Sequence, residues 1–364
     1  MKQPRGTIHS PYMEWAKLCS AATYNLATSG VASYPLAELG VSIEDLEING
    51  PSEYGYPPLQ ERLARKNQVA PECVVAAAGT SMANHLAMAA CFEPGEEVLV
   101  EQPTYELLLS TARYLGAKIR RFRRSFEDDF RIDPQEIAKR ITPRTRLIMI
   151  TNLHNPSGAL TDEPTLAAVG EIAQGCGARV LVDEVYLEAA FEAPRRSAFH
   201  LGPQFVTTNS LTKAYGLSGL RCGWVLAEPE LAKRMWRIND VYGATAVHPG
   251  ERMSVMALDR LETISGRAKN ILGTNRQAMN ALLDARRELR CFRPAFGTVM
   301  FPKLRRGNVD EFCQLLREKY ETSVVPGQFF EMPQYLRIGM GGDIEMTAEG
   351  LRRLGCALEE CARR

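Results

Sequence analysis

Ser210-Leu211-Thr212-Lys213-Ala214-Tyr215-Gly216-Leu217-Ser218-Gly219-Leu220-Arg221-Cys222-Gly223-Trp224 is the most informative stretch of this 364-residue chain. A β-like run at 205–208 precedes it and another begins at 222, so it reads as the connection between two strands. A lone lysine is ordinarily a solvated surface residue. Lys213 instead follows a strand, sits among small and hydroxyl residues, and has Arg221 eight positions on, at the start of the next strand. Such surroundings suit a buried Schiff-base lysine whose amine stays reactive through desolvation and a neighbouring cation. Ser210 and Arg221 then read as phosphate ligands, one through a hydroxyl hydrogen bond and the other through a bidentate charged one.

Working outward, short apolar, β-branched runs recur at 73–78, 97–101, 118–123, 146–151, 179–183, 205–208 and 222–227. Helical patterns separate most of them, at 82–92, 105–115, 134–140 and 161–176, the last two opened by Asp133-Pro134 and Thr161-Asp162-Glu163 as caps. This alternation predicts an α/β domain over 36–265, with a mostly parallel seven-stranded sheet flanked by helices. Beyond it the pattern changes to a long polar-faced helix at 268–290, β-like pieces at 298–301, 323–325 and 335–340, and a final helix at 347–364. Residues 266–364 therefore read as a smaller α+β domain. The N-terminal 1–35, too few to fold alone, are expected to pack on it and line a cleft.

Composition removes several function classes. Lys plus Arg number 44 and Asp plus Glu 43, so the net charge of +1 offers no field for nucleic acid or an anionic membrane. A 45% hydrophobic and 24% charged chain is globular rather than disordered. The longest apolar runs, such as 147–150 and 180–182, fall far short of the roughly 20 residues that span a bilayer. Met1-Lys2-Gln3-Pro4-Arg5 leads into no apolar export segment, and nine cysteines without a Cys-x-x-Cys pair read as reduced thiols. A cytoplasmic protein without disulfides or a Cys-based metal site is expected.

Two upstream motifs bear on Lys213. Asn155-Pro156-Ser157-Gly158 follows the 146–151 strand, where it would serve as a simple turn or as part of a site. Asp183-Glu184-Val185-Tyr186 ends the 179–183 strand, and an acid there is either a helix cap or lies where open α/β sheets bind ligands. Neither motif is specific alone. Their order and spacing relative to Lys213 are.

Asn155-Pro156-Ser157-Gly158, Asp183-x-x-Tyr186, Ser210-x-x-Lys213 and Arg221 together resemble the signature of fold-type I, class I/II pyridoxal-phosphate aminotransferases, the aspartate aminotransferase family. The resemblance covers nearly the whole chain and implies the aspartate-aminotransferase-like fold. It makes Lys213 the lysine of the internal aldimine and the base and acid of the proton shift. Asp183 becomes the carboxylate facing the pyridine nitrogen, and Asn155 and Tyr186 the partners of the cofactor's 3-hydroxyl. Lys213, Asp183 and Tyr186 form the implied catalytic set. Ala78-Gly79-Thr80-Ser81 resembles the phosphate cup, and Tyr105 occupies the place of the ring that stacks on the pyridine. Arg337, in Tyr335-Leu336-Arg337-Ile338-Gly339, matches the arginine that clamps the substrate α-carboxylate beside Asn155. Ser29-Gly30-Val31 resembles the loop whose backbone, at Gly30, approaches the same carboxylate.

The chain departs from the pattern in places. Asn49 stands where relatives often carry a tyrosine that reaches the neighbouring subunit's cofactor phosphate; Tyr54 substitutes for it or the contact is missing. Leu153 replaces a usual proline, and His154 reads as a packing neighbour of the site. Side-chain selectivity falls to the N-terminal segment and the loop near Phe296. Tyr12, Trp15 and Phe296 point to an apolar pocket, Lys17 to an acidic side chain or to solvent. The resemblance implies transfer of an amino group from an L-amino acid to a 2-oxo acid, by a ping-pong route through pyridoxamine phosphate, in a homodimer with active sites at the subunit interface. A carbon–sulfur β-lyase or cyclase on the same fold is the alternative, and an aminotransferase-like ligand-sensing module the remote one.

Overall fold

The computed structural model describes residues 9–193 and 196–363, so the Met1 to Arg5 stretch lies outside the described residues. Seven strands form one sheet: β1 Val74–Ala78, β2 Glu97–Gln102, β3 Lys118–Arg123, β4 Thr145–Thr151, β5 Arg179–Asp183, β6 Phe205–Ser210 and β7 Cys222–Leu226. Their order is β1-β7-β6-β5-β4-β2-β3, and only β7 runs antiparallel to its neighbours. The seven apolar runs in the sequence become these seven strands.

The central strands read as continuous apolar runs because both faces are covered. Within β2, Val98 and Val100 pack with Ala83, Leu86, Leu108 and Met235, from helices Gly79–Cys91, Glu106–Tyr114 and Pro229–Tyr242 on one face. Leu99 points the other way, to a cluster that includes Ile137, Leu166 and Val169 from helices Pro134–Ala138 and Glu163–Gly175. This two-residue alternation divides one strand between two cores.

The C-terminal part is built around the 25-residue helix Leu261–Ala285, with helices Val309–Tyr320 and Ile344–Arg363 against short strands. Val299–Met300, Leu336–Gly339 and Val325–Pro326 make a three-stranded antiparallel sheet, and Leu289–Arg290 pairs with Lys303–Leu304. The long helix thus starts and stops earlier than the expected 268–290, because residues 289–290 are already a strand. The N-terminal chain crosses to both parts. Tyr24–Asn25 pairs with Thr322–Ser323, Gly339 N donates to Leu26 O at 2.7 Å, and Val31 N donates to Lys213 O at 2.8 Å. No helix among the described residues is long and apolar enough to cross a membrane.

Candidate active site

Because β1, β4, β5 and β6 point the same way, their C-terminal ends deliver residues 78–81, Thr151, Asp183 and Ser210 to one edge of the sheet. A cavity of about 310 Å³ opens there, and Thr80, Ser81, Tyr105, Asn155, Asp183, Tyr186, Ser210, Lys213 and Arg221 all line it. The other three expected site residues stand just behind the wall. Gly79 backs Arg221, Gly30 lies against the stem of Lys213, and Arg337 sits beneath Asn155 and Tyr12.

One end of the cavity suits an anion. The helix Gly79–Cys91 starts directly from β1, with Gly79 at φ +77°, so its unpaired N-terminal N–H groups face the opening. Strand β7 crosses this first turn so closely that a Cβ at Gly223 would meet the Gly79 backbone, and one at Gly79 would meet the Arg221 guanidinium. Arg221 itself takes φ +53°, with Nη2 donating to Ala78 O at 3.0 Å and Nη1 to Ser218 O at 3.2 Å. The hydroxyls of Thr80 and Thr212, both on the wall, have no hydrogen-bond partner.

The other end carries an acid. Asp183 is 3% exposed; Oδ2 accepts from Asn84 Nδ2 at 2.8 Å and Oδ1 from Val185 N at 3.1 Å. Thr208 donates to Asn84 Oδ1 at 2.6 Å, which leaves only the amide N–H for Asp183. Burial pushes the Asp183 carboxyl up to about 6, against the opposing pull of the Asn84 bond and the Lys213 charge. Asn84 and Thr208 escaped the sequence reading. The available signal was a polar residue at a core position of an otherwise apolar helix, Met82-Ala83-Asn84-His85-Leu86.

Between the two ends lies Lys213, whose amine burial lowers to about 8, with the Arg337 and Arg221 charges adding and Asp183 opposing. Burial likewise raises the Tyr186 phenol to about 12, opposed by Arg337 and a hydrogen bond with Ser29. Tyr105 is held well above its ordinary value, again chiefly by burial.

Arg337 is 1% exposed. Nη1 donates to Asn155 Oδ1 at 3.1 Å, and Nη2 to Tyr12 OH at 2.7 Å and Ala27 O at 3.3 Å. None of these partners is a carboxylate, and Nε has no partner. The rings of Tyr12 and Phe330 lie 5.4 and 5.0 Å from the guanidinium carbon. Tyr12 comes from the helix Pro11–Leu18, which also brings Met13, Trp15 and Ala16 to the cavity wall. Lys17 is exposed and off that wall, and Phe296 lines a separate cleft with Phe191 and Lys269, so neither shapes this cavity. Tyr54 is also outside it, 56% exposed and donating to Asp240 Oδ2 at 3.0 Å. Asn49 is exposed. His154 is fully buried between Ser157 Oγ at 2.6 Å and the Pro103 carbonyl at 3.0 Å, and burial pushes its imidazole well below the usual histidine range.

The family Aminotransferase class I and II matches residues 45–354. A PLP-dependent aminotransferase from Streptococcus suis superposes with a TM-score of 0.91 and 28% identity, over 99% of both chains. A protein described as a probable aspartate/prephenate aminotransferase from Aquifex aeolicus is 26% identical over 84% of this chain and 82% of its own. Capreomycidine synthase from Streptomyces vinaceus is also 26% identical, over 92% and 90%. The chain belongs to the class I and II aminotransferases. It is accordingly a pyridoxal-phosphate-dependent transferase whose substrates are amino acids and 2-oxo acids. The site fits that cofactor: an anion cup with two unpartnered hydroxyls at one end, a buried carboxylate at the other, and a desolvated lysine between.

Proposed function

We propose that the chain moves the amino group of an L-amino acid to a 2-oxo acid in two half-reactions, with Lys213, Asp183 and Tyr186 as its catalytic residues. The observation that carries this reading is one cavity holding the Lys213 amine, the Asp183 carboxylate and the anion cup, with the carboxylate-free Arg337 just behind its wall. Pyridoxal phosphate bound there supplies an electron sink for negative charge developing at the substrate Cα. The N-terminus of Gly79–Cys91, with Thr80, Ser81, Ser210 and Arg221, holds the phosphate. Asp183 keeps the pyridine nitrogen protonated, and Tyr105 covers the ring. Asn155 must turn its oxygen toward donor-only Arg337, so its Nδ2–H points elsewhere and joins the Tyr186 hydroxyl as a donor to the 3-oxygen. Arg337 and the Gly30 backbone receive the α-carboxylate, which releases Tyr12 from Arg337. Lys213 Nζ would take up the Cα proton and give it back on the far side of the substrate nitrogen, a 1,3-shift.

The wall contributed by Tyr12, Met13, Trp15 and Ala16 carries no charge, which supports donors with neutral, apolar side chains. Residues 36–265 act as the cofactor-holding unit, with 1–35 and 266–364 as the smaller one; residues 1–8, 194–195 and 364 of that division lie outside the described residues. A homodimer is supported by Ile43, Ile48, Tyr54, Val241 and Val247, large side chains that remain exposed, of which Ile48 and Val247 line a second cleft. Sedimentation equilibrium should return twice the chain mass of 40.5 kDa, and a catalytically active monomer would refute that part. The nine free cysteines support a reducing, cytoplasmic location, which cell fractionation checks. The similarity to a synthase is what favours the second reading, a lyase or cyclase on the same site. Replacing Lys213 tests the shared core. Lys213→Ala should lose the borohydride-reducible cofactor adduct and lower turnover by roughly 10²–10⁴-fold or more. A reducible adduct at any other lysine with turnover intact would sink the assignment.

A further inference from the structure

Behind Asn155 lies a buried ion pair that the reaction itself does not use. Glu101, at the end of β2, and Arg124, just after β3, are both 0% exposed at the side chain and meet at 2.7 Å. Glu101 Oε1 also accepts from Thr151 N at 2.7 Å and from Thr151 Oγ at 2.5 Å. Having given its only hydrogen to a carboxylate, the Thr151 hydroxyl can offer Asn155 only a lone pair, and Asn155 N donates to it at 2.9 Å. Arg124 meanwhile reaches the far side of the same loop through Nη2 to Thr161 Oγ1 at 3.3 Å, and is itself held by Nε donating to the Phe130 carbonyl at 2.6 Å. Thr161 and Asn152 close the loop with two bonds of 3.0 and 3.1 Å. The chain of contacts then continues from Asn155 Oδ1 to Arg337.

A buried ion pair is rarely a net source of stability, since desolvation offsets its attraction. Its value here is directional. We infer that Glu101, backed by Arg124, is a positioning residue that acts through Thr151 to aim the Asn155 amide between the cofactor ring and the substrate-binding Arg337. The inference rests on the roles proposed above for Asn155 and Arg337. Glutamine at 101 has one acceptor oxygen for donors on two sides, and the charged Arg124 is the stronger claimant, so Thr151 loses its acceptor. The Thr151 hydroxyl is then free to rotate away from the Asn155 N–H.

The test uses the holoenzyme and an α-methyl amino acid matching an accepted donor, a probe that binds but has no α-proton to lose. Two quantities are read by visible absorption: the probe's dissociation constant and the pH midpoint of the lysine-bound cofactor's band. Glu101→Gln and Thr151→Val should each weaken probe binding about tenfold, the scale of one hydrogen bond to a charged group. Both should also shift the pH midpoint in the same direction as Asn155→Ala does, and Thr151→Ser should restore wild-type values. In an Asn155→Ala background, Glu101→Gln should change neither quantity further. Unchanged binding and midpoint in Glu101→Gln, or effects that add to those of Asn155→Ala, would overturn the inference. Should Glu101→Gln fail to fold, Thr151→Val keeps the ion pair and decides alone. If Asn155→Ala alters neither quantity, the underlying reading of Asn155 falls and the inference falls with it.

Discussion

Lys213 is suited to the proposed roles of nucleophile and base because its surroundings make the ammonium form expensive. Burial, with Arg337 and Arg221 adding, brings the amine from 10.5 to about 8. The shift is downward, so the group is uncharged above about pH 8, whereas an exposed lysine stays charged for two further units. In the apoenzyme, the peptide-resolved rate of acylation at Lys213 should climb between pH 7 and 9 with a midpoint near 8; a midpoint near 10.5 would contradict the desolvated site. By linkage, the unfolded chain binds the extra proton between those two values, so this group adds stability as pH rises through that window and takes it away as pH falls toward 8. Asp183, Lys213 and Arg221 were legible in the sequence because the first ends a strand, the second follows one and the third precedes one, in the order of the family pattern. Asn84, Thr208, Glu101 and Arg124 were not. Asn84 meets Asp183 across 99 residues and Thr208 across 124, and no local pattern encodes such pairings.

At the scale of elements, the anion cup depends on how closely β7 passes the first turn of Gly79–Cys91. Gly223 has no room for a Cβ against the Gly79 backbone, and Gly79 none against Arg221. Gly223→Ala should therefore cost about 1–3 kcal/mol of stability by overpacking and weaken pyridoxal phosphate binding, read by thermal unfolding with and without cofactor. A variant with unchanged affinity would show that the close crossing does not build the cup. The central strands of the large sheet were readable because burial on both faces leaves apolar runs such as Leu147 to Ile150. Helix limits were harder. Leu261–Ala285 follows His248–Asp259 after Arg260 alone and has no side-chain cap at its start, so its entry leaves no mark in the sequence. Pro11–Leu18 did carry such a mark, Ser10 before Pro11, with Ser10 Oγ accepting from Met13 N at 3.2 Å.

At the scale of the whole molecule, the site joins distant parts of the chain. Tyr12 and Arg337 are 325 residues apart and hydrogen-bonded, while Lys213 reaches the same cavity from the middle. The N-terminal chain ties them together through Val31 to Lys213 and Leu26 to Gly339. That residues 1–35 would line a cleft was foreseeable from their being too few to fold alone, but which residues they cover was foreseeable only through family resemblance. The most direct measurement is the visible absorption spectrum of the holoenzyme, before and after each of a panel of L-amino acids supplied without any oxo acid. Replacement of the lysine-bound cofactor's band by that of the amine form, with one equivalent of oxo acid released and apolar side chains reacting best, is the result expected of this transaminase. A band that persists with every donor, or one that persists while ammonia accumulates, would contradict it.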